Sequence, residues 1–157
     1  MIRLPTEFSD LLKLLNVHDV RYLVVGGFAV AWHGYPRATG DIDIWTERSR
    51  ANAERIVRAV REFGFDVPQL REDTLVETNR ILRMGNPPLR VEILTSISGV
   101  EFAPCFASRD EVVLGDLRIP VLNLVHLREN KRASGRHKDL DDLENLPDPD
   151  SGPENES

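Results

Sequence analysis

The chain is poor in cysteine, in long apolar runs and in any excess of positive charge. Cys105 is its single cysteine among 157 residues. No internal disulfide can form, and a reducing cytoplasm is the expected setting. One cysteine and four scattered histidines also leave no zinc-type cluster. The longest mainly apolar stretch, Tyr22–Trp32, is 11 residues and too short to cross a bilayer, so no membrane is expected as a partner. The first ten residues, MIRLPTEFSD, have no apolar segment of the secretory kind. The formal net charge is -6, and much of it sits at the end. Without Asp148, Asp150, Glu154 and Glu156, 22 acids face 20 bases. A global basic field for nucleic acid is therefore absent.

What remains is ordinary for a soluble globular domain, with 41% hydrophobic and 29% charged residues. A chain of this length can bury a core unaided. Residues 1–146 are read as one domain. Residues 147–157, PDPDSGPENES, hold no large apolar residue and are expected to be a disordered acidic tail.

Periodicity divides the domain into helices and strands. Helices are predicted from Thr6, as a cap, to Asn16, over 28–33, over 49–63, over 124–134 with Asn123 as cap, and over 138–146. Strands are predicted over 21–25, 41–45, 80–84, 89–95, 111–114 and 117–119, the last two joined at Gly115-Asp116. The order indicates an α/β (α+β) fold with a short mixed sheet flanked by helices.

The chemistry concentrates in Tyr22–Trp45, YLVVGGFAVAWHGYPRATGDIDIW. On a strand, Asp41 and Asp43 point to one face roughly 7 Å apart, while Ile42 and Ile44 point to the core. Two carboxylates side by side are costly unless a cation joins them. Magnesium suits that role, because it favours one or two carboxylates together with substrate phosphates. Gly26-Gly27, between a strand and a helix, leave room for a phosphate against the backbone. In Leu89–Leu94 the alternation puts Glu92 and Arg90 on the face opposite Val91 and Ile93. If that strand lies beside Asp41–Ile44, Glu92 is a third metal ligand and a candidate base. Asp139 reads as a helix-start acid, His33 as a helix-end residue, and Cys105 as a buried apolar one. Trp45 shares the Asp face, where it packs in the core or beneath a nucleobase.

Val25-Gly26-Gly27, thirteen residues, then Asp41-Ile42-Asp43-Ile44 and a later strand acid resemble the nucleotidyltransferase superfamily, the fold of DNA polymerase beta and of minimal nucleotidyltransferases. The wording GGFAVAWHGYPRATGDIDI, with KRASGRHKDLDDLENL at 131–146, is closest to its bacterial toxin-like and abortive-infection branch. That branch usually carries Asp at the third acid, where this chain has Glu92. The resemblance implies transfer of a nucleoside monophosphate from a nucleoside triphosphate to a hydroxyl. It implies Mg2+ or Mn2+ on Asp41, Asp43 and Glu92, and nucleotide contacts from Gly26, Gly27, Arg37, Thr39 and Lys131. Lys131 has a second reading, as a lysine paired with Asp139 or Asp142. The acceptor is an RNA, a protein or a small molecule. The basic run 128–138 suits RNA or a solvated helix face equally in kind. A cognate partner protein, in a toxin–antitoxin or phage-defence setting, belongs to the same expectation. The alternative is a module of this fold that binds nucleotide or partner without turnover.

Overall fold

The computed structural model describes residues 4–36, 40–86 and 89–149. Arg37 and Thr39 lie outside these residues, as does the tail from 150 onward. The elements run α1 (Thr6–Val17), β1 (Tyr22–Val25), α2 (Gly26–Trp32), β2 (Asp41–Thr46), α3 (Arg50–Phe63), α4 (Glu72–Leu75), β3 (Ile81–Asn86), β4 (Leu89–Leu94), α5 (Phe102–Ala107), β5 (Asp110–Leu114), β6 (Leu117–Val121), α6 (Leu124–Ser134) and α7 (His137–Asn145).

The six strands form one mixed sheet in the order β3-β4-β2-β1-β6-β5. The pairs β2–β4 and β1–β6 are parallel, and the other neighbours are antiparallel. One face of the sheet carries Ile42, Ile44, Val91, Ile93, Leu82 and Met84, all buried. Helix α1 lies on that face, where the Tyr22 hydroxyl donates to Asn16 Oδ1 at 2.8 Å. The stripe Ala53, Ile56, Val57 and Val60 of α3 joins the same core. On the opposite face, Trp45 meets Phe102 of α5 edge-to-face at 5.2 Å.

Helix ends follow local chemistry. Ser49 accepts from Asn52 N–H, and Asn123 accepts from His126 N–H at 2.8 Å. Gly64 and Gly135 end α3 and α6 in the left-handed conformation. Three expectations need correction. Thr6 is the first helical residue rather than the cap; Pro5 precedes the helix, with no side-chain cap bond. Helix α2 starts at Gly26 rather than Phe28, because Gly26 makes the turn out of β1 with φ +66°. Strand β3 runs on through Gly85 and Asn86 rather than ending at Met84. Two elements carried no usable periodicity. Helix α4 is one turn long. Helix α5 contains Pro104, which is tolerated because the first-turn N–H groups have no partner in the helix. Cys105 is buried and free, as read.

Among the described residues no helix is long and apolar enough to cross a membrane.

Candidate active site

The parallel register of β2 and β4 sets Asp41 beside Arg90 and Asp43 beside Glu92. Neighbours in register share a face, so the sheet brings together acids separated by almost fifty residues of sequence. The Asp43 and Glu92 carboxyl groups share a hydrogen bond. Burial, first, and then the charge of Glu92, the shared hydrogen bond and the charge of Asp41 push the Asp43 carboxyl up to about 6; Lys138 offsets part of this. Asp43 Oδ1 is buried, and no hydrogen-bond partner reaches it. Asp41 sits further out, with Arg90 Nε 3.6 Å from its Oδ1. The three acids therefore share one face, and the charges of Glu92 and Asp41 both act on Asp43. Among the described residues no group of three His, Cys, Asp or Glu side chains stands ready to hold a metal.

Gly26 explains how the end of β1 comes so near. Val25 is the antiparallel partner of Asp43. A Cβ on Gly26 would lie 2.0 Å from Asp43 Oδ2, and φ is +66° there. No residue with a side chain fits this position. Gly26 lines the cleft, whereas Gly27 is buried in α2 and takes no part in the lining.

The cleft over these acids has a volume of about 470 Å³. Its floor is Asp43 and Glu92, and its opposite wall is Asn130, Lys131, Arg136 and Lys138. The loop after β4 draws that wall in. Asn130 donates to the Ser98 carbonyl at 2.9 Å, and a Cβ on Gly99 would sit 2.5 Å from Ala133 Cβ.

The basic run 128–138 divides by role. Lys131 is 4% exposed, and its Nζ lies 3.2 Å from Asp139 Oδ1 and 3.0 Å from Asp142 Oδ2. Both aspartates are fully buried. Arg136 donates through Nε to Asp139 Oδ2 at 2.8 Å. Burial alone would raise Asp139, but the hydrogen bonds from Arg136 and Ser134 and the Lys131 charge outweigh it and hold its carboxyl at about 2. Arg128 donates to the Leu143 carbonyl at 3.2 Å. These contacts fasten α7 to α6. Lys138 is exposed and faces the cleft.

Arg83 was missed as the partner of Glu92, whereas Lys131 takes the second of its two readings, paired with both Asp139 and Asp142. Asp139 and Asp142, three apart on a helix, were legible as one face; their burial depends on α6 lying across them. His33 ends α2 and bonds the Leu122 carbonyl through Nε2 at 2.8 Å, in line with its helix-end reading.

No protein-family model and no curated protein matches the chain. Among solved structures it is similar to a proposed nucleotidyltransferase from Thermotoga maritima, at 23% identity, with a TM-score of 0.62 over 92% of this chain and 93% of that one. The two share one fold. The mixed sheet flanked by helices is thus the nucleotidyltransferase-type architecture that the Gly-Gly and Asp-x-Asp spacing led us to expect.

Proposed function

We propose that the chain transfers a nucleoside monophosphate from a nucleoside triphosphate to a hydroxyl. The observation that carries this reading is the Asp43–Glu92 pair. It is an acidic floor with a buried, unpartnered oxygen, facing a wall of lysine and arginine across a cleft of nucleotide size.

The donor set suits a hard cation: carboxylate oxygens, one without a partner, and no thiolate or imidazole. Asp43 and Glu92, with Asp41 beside them, would hold Mg2+ or Mn2+, which supplies positive charge against the phosphoryl oxygens when bound. In this reading Gly26 keeps the end of β1 free of side chains where it borders the cleft, while Gly27, buried in α2, gives the phosphate no direct contact. Lys138, Arg136 and Lys131 line the wall that meets the triphosphate, Lys131 while held by Asp139 and Asp142. Arg37 and Thr39 belong to the same contact set. The acceptor oxygen bonds to the α-phosphorus, the bridging α–β P–O bond breaks, and pyrophosphate leaves. The acceptor proton passes to Glu92, whose face of β4 opens on the cleft.

An RNA or a protein is the acceptor class we favour, and a toxin-like role beside a cognate partner protein follows the resemblance of residues 20–146. Incubation with α-labelled nucleoside triphosphates, cell RNA and cell protein tests the reaction. Label should move to one fraction, and Asp43→Asn should abolish it; no label in either fraction would refute transfer to a macromolecule. One observation favours a second reading, nucleotide binding without turnover: Arg90 stands 3.6 Å from Asp41 and competes with a cation for its carboxylate. Tight triphosphate binding without label transfer would select it.

A further inference from the structure

Arg83 lies on β3, an outermost strand, directly across from Glu92 in antiparallel register. Its Nε donates to Glu92 Oε1 at 3.0 Å. Both residues line the cleft, with Arg83 59% and Glu92 19% exposed at the side chain. The two outer acids thus each stand near an arginine, Asp41 near Arg90 and Glu92 beside Arg83. Among the described residues no arginine pairs with Asp43.

A glutamate needs such a partner more than an aspartate does. Its side chain has an additional rotatable bond, so its carboxylate is less fixed by the backbone. Here it is also repelled by the charges of Asp43 and Asp41 on the same face. Left alone, Glu92 would relieve that repulsion by swinging outward. The guanidinium is planar and permanently charged, and its Nε–H points in one direction; bonded to Oε1, it fixes the carboxylate. The strand register places the donor where this is needed.

We propose that Arg83 is a positioning residue, holding the Glu92 carboxylate against Asp43 so that both can take one divalent cation. The cation part of this inference rests on the functional reading above. Arg83 is exposed and on an outermost strand, so its loss should leave the fold intact, which circular dichroism checks.

Two measurements decide the matter. The first is Mn2+ binding to the full chain, read by electron paramagnetic resonance, for wild type, Arg83→Met and Arg83→Lys. Positioning predicts that Arg83→Met binds Mn2+ about tenfold more weakly, although a repelling positive charge has gone, and that Arg83→Lys falls between. Equal or tighter binding by Arg83→Met would reduce Arg83 to a counter-charge and overturn the proposal. The second is the Arg83 Nε–H signal by nuclear magnetic resonance in metal-free protein. It should be protected in the wild type and lose that protection in Glu92→Ala. An Nε–H that exchanges as fast as those of other exposed arginines would overturn the clamp. If the wild type takes up no Mn2+, the metal reading fails by itself, and the Nε–H signal still decides the clamp.

Discussion

Two pairs of acids, one on the floor of the cleft and one buried behind its lysine and arginine wall, have opposite fates. Asp139 and Asp142 are buried around Lys131, with Arg136 added. Their charge is met from within the chain, and Asp139 is held at about 2. Asp43 and Glu92 are crowded together, Asp43 is raised to about 6, and one of its oxygens has no partner. An acid pair with its cation built in is a fastening between two helices. In the other pair Arg83 meets Glu92 but leaves Asp43 raised and one of its oxygens without a partner; that costs stability, and the cost makes sense where an external cation is to be bound.

Substitutions can separate the two pairs. The largest effect should be on chemistry. Asp43→Asn removes one floor carboxylate and should lower nucleotide transfer by roughly 10²–10⁴-fold, read by labelled product, while the protein stays folded. If that variant retained full transfer, the floor would have no part in the reaction. Next comes Lys131→Met, which leaves two buried carboxylates without their lysine. It should cost about 3–5 kcal/mol in urea unfolding, and a loss below about 1 kcal/mol would mean that the fastening is not structural. Gly26→Ala forces a side chain onto Asp43 at positive φ. It should cost about 2–4 kcal/mol, and Asp43→Asn should not relieve it, because the carbonyl or amide group occupies the same space.

The smallest expected effect is a pH dependence that sharpens the contrast. The Asp43 carboxyl is raised from 3.8 unfolded to about 6 folded. Between these values the native state holds more protons than the unfolded chain, so stability falls as pH rises from about 4 to 6. The change is roughly 2 kcal/mol and should vanish in Asp43→Asn. Asp139 has the opposite sign: its contribution is present above the unfolded value and is lost only as pH falls toward about 2. Urea unfolding between about pH 2 and 7 measures both.

The fold was legible because its helices and strands are locally consistent. The stripe of α3, the caps Ser49 and Asn123, and the alternation in β2 and β4 each point to the element that forms. Neither α4 nor α5 could be read, since one turn has no period and Pro104 argues against a helix. Within the site, the face shared by Asp41, Asp43 and Glu92 was legible from period two alone, once the two strands were taken as neighbours. The partners of the outer acids were not. That Asp41 turns to Arg90 and Glu92 to Arg83 depends on strand register, which sequence spacing does not encode, whereas the pairing of Lys131 with Asp139 and Asp142 was one of the two readings of that lysine and is the one the structure shows. Gly26 is instructive: strand-to-helix position suggested a ligand close to its backbone, and the structure shows Asp43 itself occupying the space a side chain would need.

The central claim is that the Asp43–Glu92 pair, in which Arg83 meets Glu92 and Asp43 keeps an unpartnered oxygen, is a cation and nucleotide site. Calorimetric titration of Mg2+ with a non-hydrolysable nucleoside triphosphate, into wild type and Asp43→Asn, tests it most directly. The account predicts joint binding to the wild type and at least about tenfold weaker binding to the variant. Equal binding by both proteins, or none by the wild type, would contradict it.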